Sequence, residues 1–339
     1  MTPTLRDLGE FGFIERVARM AGLSPTGPVI FGDDCAVLDV GGPEKLLVST
    51  DAAIEGRHFR LDWFTPVEIG RRAVAAALSD VAAMGGRPLA CLCTIVIPPH
   101  MSSSVALGVM RGVAETAMRY GAPLIGGDTV TGTGGLALDI VTLGWAERPW
   151  LRKGARQGDK LLVTGALGGP AAALALLQSD PELLREPGRE VLLRRATDPT
   201  PRFAEAAALA GTGLVHAAID ISDGLYQDAG HLARMSRARV VLQSRQLPIC
   251  AGCDAGLAAG EASVTAPWWA ATSGEEYELL LAVDRDEVAE VQRVLTEAGL
   301  DRVTDVGDLV PGEGVVLVGL DGSEIELERG GWDHLRSAD

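Results

Sequence analysis

Apolar positions recur along the chain in two alternating rhythms, a helical one and a strand-like one. Over residues 5–21, Leu8, Phe11, Ile14, Val17 and Ala18 fall at helical spacing, and Gly22 offers a natural stop. Ile30 to Leu38 gives two short apolar pieces broken by a Gly32-Asp33-Asp34 turn. Leu46 to Asp51 reads as a strand that delivers Ser49, Thr50 and Asp51 at its end, and Glu55 to Phe59 reads as a loop. Thr65-Pro66-Val67-Glu68 is a capping box with proline at the first helical position, so a helix starts there and runs to Met84, where Gly85-Gly86 ends it. A strand over Leu89 to Ile97, a helix over 102–120 and a strand over Leu136 to Trp145 follow. Between the last two, Leu124-Ile125 leads into Gly126-Gly127-Asp128-Thr129, which reads as a glycine-rich turn bearing a carboxylate.

Proline, glycine and charge concentrate between Pro149 and Gly158, and 339 residues are long for one core. We therefore expect two domains, 1–148 and 149–339. In the second, a strand begins at Lys160, and helices are expected at 168–178 and over 189–211, the latter broken near Pro199 and Pro201. His216 to Ile219 is a short strand ending in Asp220-Ile221-Ser222-Asp223-Gly224-Leu225, with Asp223 placed to cap a helix running to about Ser236. A strand after Thr272-Ser273-Gly274-Glu275, a helix over 284–298 and strands at 305–309 and 314–328 complete the pattern. The fold class expected is two-domain, α/β then α+β.

Aspartates stand at the ends of many of these apolar elements. Asp33 and Asp34, the Ser49-Thr50-Asp51 run, Asp80 within an apolar helix, Asp128, and the Asp220-Ser222-Asp223 turn are the set. Singly, Asp128 is accounted for as an ordinary turn and Asp223 as a helix cap. A carboxylate such as Asp80 on an apolar face, however, costs several kcal/mol unless paired or liganded. If the aspartates converge they need cations, and oxygen-only ligands select Mg²⁺ or Mn²⁺. Magnesium commonly arrives with phosphates, which implies a nucleotide. No G-x-x-x-x-G-K-[ST] motif is present, and Lys160 is followed by two leucines. The kinase-type glycine-rich loop with its lysine is missing too. Aspartates with magnesium, helped by Arg152, would have to carry the triphosphate charge.

Charge sharpens this. With 46 acidic against 30 basic residues the formal net charge is −16, which disfavours nucleic acid or an anionic membrane as partner. The longest apolar runs, such as Leu89 to Val96, fall short of the roughly 18 residues a membrane span needs. No signal-peptide progression opens the chain, so the expected location is the cytoplasm. Five cysteines, an odd number, suggest no disulfide framework; Cys91 and Cys93 read as small core residues of one strand face. Cys250-x-x-Cys253 has metal-like spacing without the second pair that structural zinc needs.

Taken in order, Gly32-Asp-Asp-Cys-Ala-Val-Leu38, Ser49-Thr-Asp51, Glu55-Gly-x-His-Phe59, Leu78-Ser-Asp-x-Ala-Ala-Met-Gly85, Gly126-Gly-Asp-Thr-x-x-Gly132 and Asp220-Ile-Ser-Asp-Gly-Leu225 resemble the thiamine-monophosphate kinase family. That family belongs to the aminoimidazole ribonucleotide synthetase-like superfamily. The match spans nearly the whole chain, and Ser273-Gly-Glu-Glu-Tyr-Glu278 extends it. Two positions depart from the family pattern. Ala77 stands where an asparagine is usual before Leu-Ser-Asp, and Ser273 and Glu276 replace a glycine and an aspartate.

The resemblance implies transfer of a phosphoryl group from ATP to thiamine monophosphate, giving thiamine diphosphate. It implies Mg²⁺ held by Asp34, Ser49, Thr50, Asp51, Asp80, Asp128, Asp220 and Asp223, with Thr50 acting through its carbonyl or its hydroxyl. ATP would meet Gly127, Asp128, Arg152 and Ser222. Thiamine monophosphate would meet His58 and Glu275 and stack on Trp332, a contact that suits a cationic thiazolium. For His58 a surface loop, and for Trp332 plain packing, are the simpler accounts. A mixed-sheet N-terminal domain that dimerises through its sheet, and an α+β C-terminal domain that closes over the cleft, are also implied. Two other readings stay open: a superfamily relative that uses ATP on a different small phosphorylated or carboxylate substrate, and a nucleotide-binding relative without turnover.

Overall fold

The computed structural model describes residues 4–22, 29–30, 32–260, 264–301 and 303–327. The first half opens with α1 (Leu5–Met20), held at its start by a Thr4–Asp7 capping box. Strands β1 (Val29–Ile30) and β2 (Ala36–Leu38) pair antiparallel across the Gly-Asp-Asp turn. Then come β3 (Lys45–Ile54), α2 (Pro66–Ala83), β4 (Arg87–Ile97), α3 (Ser103–Arg119), β5 (Leu124–Thr131) and β6 (Ala137–Ala146). Among the described residues these strands form one six-stranded sheet, ordered β1-β2-β3-β6-β4-β5. Pairing is antiparallel except for β4 with β5, so the sheet is mixed.

The Thr65 capping box forms as its sequence predicts, with Pro66 in the first turn. Alternation along β6 buries Leu138, Ile140 and Thr142 and leaves Asp139, Val141 and Leu143 on a more open face. The buried face joins Cys91, Cys93 and Ile95 of β4 in a core with Ile69, Val74 and Leu78 of α2 and Val109 and Val113 of α3. Cys91 and Cys93 are thus small core residues of one strand face.

In the second half, β7 (Lys160–Val163) is followed by α4 (Gly169–Ser179), α5 (Glu190–Thr197), α6 (Phe203–Leu209), β8 (Val215–Asp220), α7 (Leu225–Ser236) and β9 (Arg239–Gln243). Next are α8 (Cys253–Ala259), α9 (Ala266–Thr272), β10 (Leu279–Val283), α10 (Val288–Glu297), β11 (Thr304–Val310), β12 (Gly314–Val318) and β13 (Glu324–Ile325). The second sheet runs β13-β12-β9-β11-β7-β10-β8. One face packs on α7 and α9, the other on α6 and α10.

The two halves share apolar contact, because the core around α2 continues into Leu176 and Leu177 of α4 and Leu192 of α5. Arg185 to Glu68 at 2.8 Å and Arg119 to Asp198 at 2.6 Å bind the halves across the same seam.

Several expectations change. Residues 124–131 are a continuous strand rather than a turn, because β4 supplies a parallel partner along their whole length. The 314–328 strand is two strands folded back through a turn, β12 against β13. The helical pattern over 189–211 does break near its prolines, into α5 and α6. Strand β9 and helices α8 and α9 were not anticipated. Cys250 and Cys253 are free, buried thiols, and burial pushes Cys253 up to about 12.

Candidate active site

Four elements deliver carboxylates to one place. Asp34 comes from the β1–β2 turn, Asp51 from β3, Asp80 from the apolar helix α2 and Asp220 from the last residue of β8, with Asp223 just beyond. Their proximity shows in their protonation. Burial, and then the Asp34 charge, push Asp220 up to about 7. Asp51 is also pushed up to about 7, by burial, then Glu275, with Asp139 and Asp223 adding to it. Asp80 is raised well above the usual carboxylate range by burial and by the charges of Asp220, Asp34 and Asp51. Ser49 donates to Asp80, and Ser79, its neighbour in α2, donates to Asp220 at 2.6 Å.

Arg152 is the cation built into this cluster. Its guanidinium reaches Asp34 at 2.6 and 3.2 Å, and its backbone N–H donates to Asp33 at 2.7 Å. Even so, the second carboxylate oxygens of Asp33 and Asp34 are buried with no hydrogen-bond partner. Buried acceptors with nothing to accept are rare in folded proteins, and a bound ion or water is one way to satisfy them. All-oxygen donors, surplus negative charge and orphaned carboxylate oxygens fit a hard divalent cation.

Not every expected residue joins. The Thr50 hydroxyl turns to the sheet's open face and donates to Asp139 at 2.7 Å, which leaves its carbonyl as the group available to an ion. Asp128 is exposed on β5, the edge strand, and its carboxylate accepts the Thr129 N–H at 2.8 Å. Two strands, β6 and β4, separate it from β3, roughly 14 Å at ordinary strand spacing. Beside it, Gly127 lies so close to β4 that a Cβ would fall 1.8 Å from the Cys93 carbonyl oxygen. His58 accepts the Ile54 N–H at Nδ1, 3.0 Å away, within its own loop. Trp332 lies outside the described residues.

Residues 32–146 match the family model described as AIR synthase related protein, N-terminal domain, and residues 156–319 the corresponding C-terminal domain. The chain is 37% identical over 294 residues to a protein of Rhodopirellula baltica named thiamine-monophosphate kinase, covering 84% of each. A Mycobacterium tuberculosis protein of the same name is 37% identical over 82% of each chain. The chain belongs to the thiamine-monophosphate kinase family. Among solved structures, one described as AaThiL complexed with AMPPCP and TMP superposes with a TM-score of 0.84, at 29% identity over 98% of this chain and 99% of that one. The tt0281 protein of Thermus thermophilus gives 0.79 at 32% identity, covering 96% and 100%. The hydrogenase maturation protein HypE of E. coli, at 23% identity and a TM-score of 0.66, shares the fold.

Within this family fold, sequence reasoning missed groups that packing makes important. Asp228, in the first turn of α7, accepts the backbone N–H groups of Ser222, Asp223 and Gly224 on one oxygen, at 3.1, 3.1 and 3.0 Å. Asp223 is therefore not the helix cap expected of it. The N-cap is Gly224, which has no side chain to cap with, and Asp228 instead reaches back to the turn that precedes the helix. Asp223, Asp228 and His231 also place ligand-capable atoms within 4.8 Å of one another. Alongside the turn, Glu275 donates its N–H to Ser222 O at 2.7 Å and Tyr277 donates to Ile221 O at 2.8 Å. Both residues take left-handed backbone, at φ 61° and 52°. A carboxylate four residues after Gly224 was the one local hint of Asp228; nothing local marks Arg72, whose guanidinium reaches Glu275.

Proposed function

We propose that this chain transfers the γ-phosphoryl group of ATP directly, in line, to thiamine monophosphate, giving ADP and thiamine diphosphate. The observation that carries the reading is the convergence of Asp34, Asp51, Asp80 and Asp220, with one oxygen each of Asp33 and Asp34 buried and unpartnered, in a chain of this family. A phosphate monoester has its second pKa near 6, so the attacking oxygen is already ionised at neutral pH and needs no general base. What remains is to bring two anions together in the right alignment, which is positioning and electrostatics.

Asp34, Ser49, Asp51, Asp80, Asp220 and Asp223, with the Thr50 carbonyl, would hold Mg²⁺. When bound, Mg²⁺ neutralises phosphate oxygens so that two polyanions can approach. Ser222, on a turn fixed by Asp228, would meet ATP; Gly127, on β5 beside Asp128, would meet it only across a dimer. Arg152 is already paired with Asp34, so its part is to orient that carboxylate as much as to meet phosphate. His58 and Glu275 would face thiamine monophosphate, joined by Trp332.

Asp128 fits only if the chain is a homodimer. Ile125 and Val130 are 62% and 43% exposed on edge strand β5, so this edge of the sheet has apolar surface to cover. Dimerisation there would offer Asp128 to the partner's cluster.

ADP production from Mg·ATP, measured with and without thiamine monophosphate, tests the whole reading. Turnover that requires thiamine monophosphate and yields thiamine diphosphate is the expected result. ADP produced only with another acceptor would discard the substrate, and Mg²⁺-dependent ATP binding without turnover would discard the kinase.

A further inference from the structure

Arg72 sits on α2 with its side chain only 12% exposed, its guanidinium 5.0 Å from the centre of the Phe64 ring. One nitrogen donates to Glu275 Oε1 at 2.9 Å and to the His58 carbonyl at 3.4 Å. Another donates to the Ala196 carbonyl at the end of α5. A single planar fork thus joins three segments far apart in sequence: the loop after β3, α5, and the segment that leads into β10.

The last of these needs holding. Glu275 and Tyr277 both occupy left-handed backbone, which non-glycine residues keep only where their surroundings over-determine it. The Glu275 carboxylate takes Arg72 as its ion-pair partner at 2.9 Å, which ties this backbone to α2. Both terminal nitrogens of Arg72 donate to protein acceptors and Phe64 lies against the guanidinium, an arrangement that suits holding protein segments together.

We infer that Arg72 is a positioning residue for the acceptor end of the site, setting the His58 loop and Glu275 in register for thiamine monophosphate. This rests on the reading that His58 and Glu275 face that substrate. A lysine would keep a charge near Glu275 but not the fork that reaches all three acceptors.

The test is steady-state kinetics of Arg72→Gln, Arg72→Lys, Glu275→Gln and the double variant Arg72→Gln/Glu275→Gln, with melting temperatures for each. Arg72→Gln should raise KM for thiamine monophosphate about tenfold or more while KM for ATP moves less than about twofold. Arg72→Lys should recover part of the loss, and it serves alone if the glutamine variant does not fold. The double variant should be little worse than the poorer single variant, since both remove one arrangement. Equal rises in KM for both substrates, or fully multiplicative effects in the double variant, would overturn the proposal and leave the substrate reading intact. A Glu275→Gln variant with unchanged KM for thiamine monophosphate would instead remove the substrate reading and the proposal with it.

Discussion

Asp228 takes three consecutive backbone N–H groups of the turn that carries Ser222 and Asp223. Alanine at this position would leave the buried Gly224 N–H unpaired, at about 1–3 kcal/mol, while the more open Ser222 and Asp223 donors could turn to water. We expect Asp228→Ala to raise KM for ATP and lower kcat by on the order of 10–100-fold, as loss of a supporting hydrogen bond does at metal sites. Asn, whose amide oxygen can still accept, should be milder. Kinetics on both variants check this, and an alanine variant with unchanged ATP kinetics would show that the turn holds itself.

Helix α2 is the element around which the site is assembled. Its capping box fixes where it begins, its buried face packs on the first sheet, and it carries Arg72, Ser79 and Asp80 toward the second half. Its contact with α3 is backbone to backbone: a Cβ on Gly70 would lie 2.1 Å from the Val109 carbonyl oxygen, and one on Gly112 would lie 2.1 Å from that of Val67. Gly112→Ala should therefore push the helices apart and destabilise the protein by about 1–3 kcal/mol, as overpacking does. Thermal melting measures it; an unchanged melting temperature would mean the helix pair has slack that the structure does not show. The helical period and cap of α2 were legible in sequence because both are local. The burial of Asp80 within it was visible as an anomaly, but the partners that make it a site were not.

At the scale of the whole molecule, the carboxylate cluster should make the metal-free protein sensitive to pH. Asp51 and Asp220 hold their protons up to about 7 in the folded chain against an ordinary value of 3.8. Buried Glu276 is pushed up to about 8 by burial. Between the unfolded and folded values the folded chain binds more protons, so stability falls as pH rises from about 4 to about 7 and levels off above about 8. Mg²⁺ should restore stability at pH 8 and do little at pH 5, where protons already neutralise the site. Melting curves with chelator and with Mg²⁺ across this range decide it; curves indifferent to both would remove the cation from the cluster.

The proposed dimer makes a separate prediction. Asp128→Asn should lower turnover by on the order of a hundredfold, as removal of one pre-placed electrostatic group does. Mixed with an Asp220→Asn chain, it should recover activity that neither has alone, because a mixed dimer keeps one site with both carboxylates. Failure to complement would return Asp128 to a role within its own chain, or to none.

Sequence by itself determined what depends on neighbours along the chain. The cap and period of α2, the strand character of Leu46 to Asp51, the break between α5 and α6, and the presence of aspartates at element ends all follow from local spacing. The ordered motifs extended this to the family. Tertiary structure decided what depends on partners far away. Whether Gly126-Gly127-Asp128 turns or extends was settled by β4 lying alongside it. Which carboxylates meet was settled by how the two sheets close on α2, and Arg72 became a connector because α5 and the Glu275 segment pack within its reach. Hydrogen-bond registry and charge proximity are properties of distance in space, which spacing along a chain does not encode.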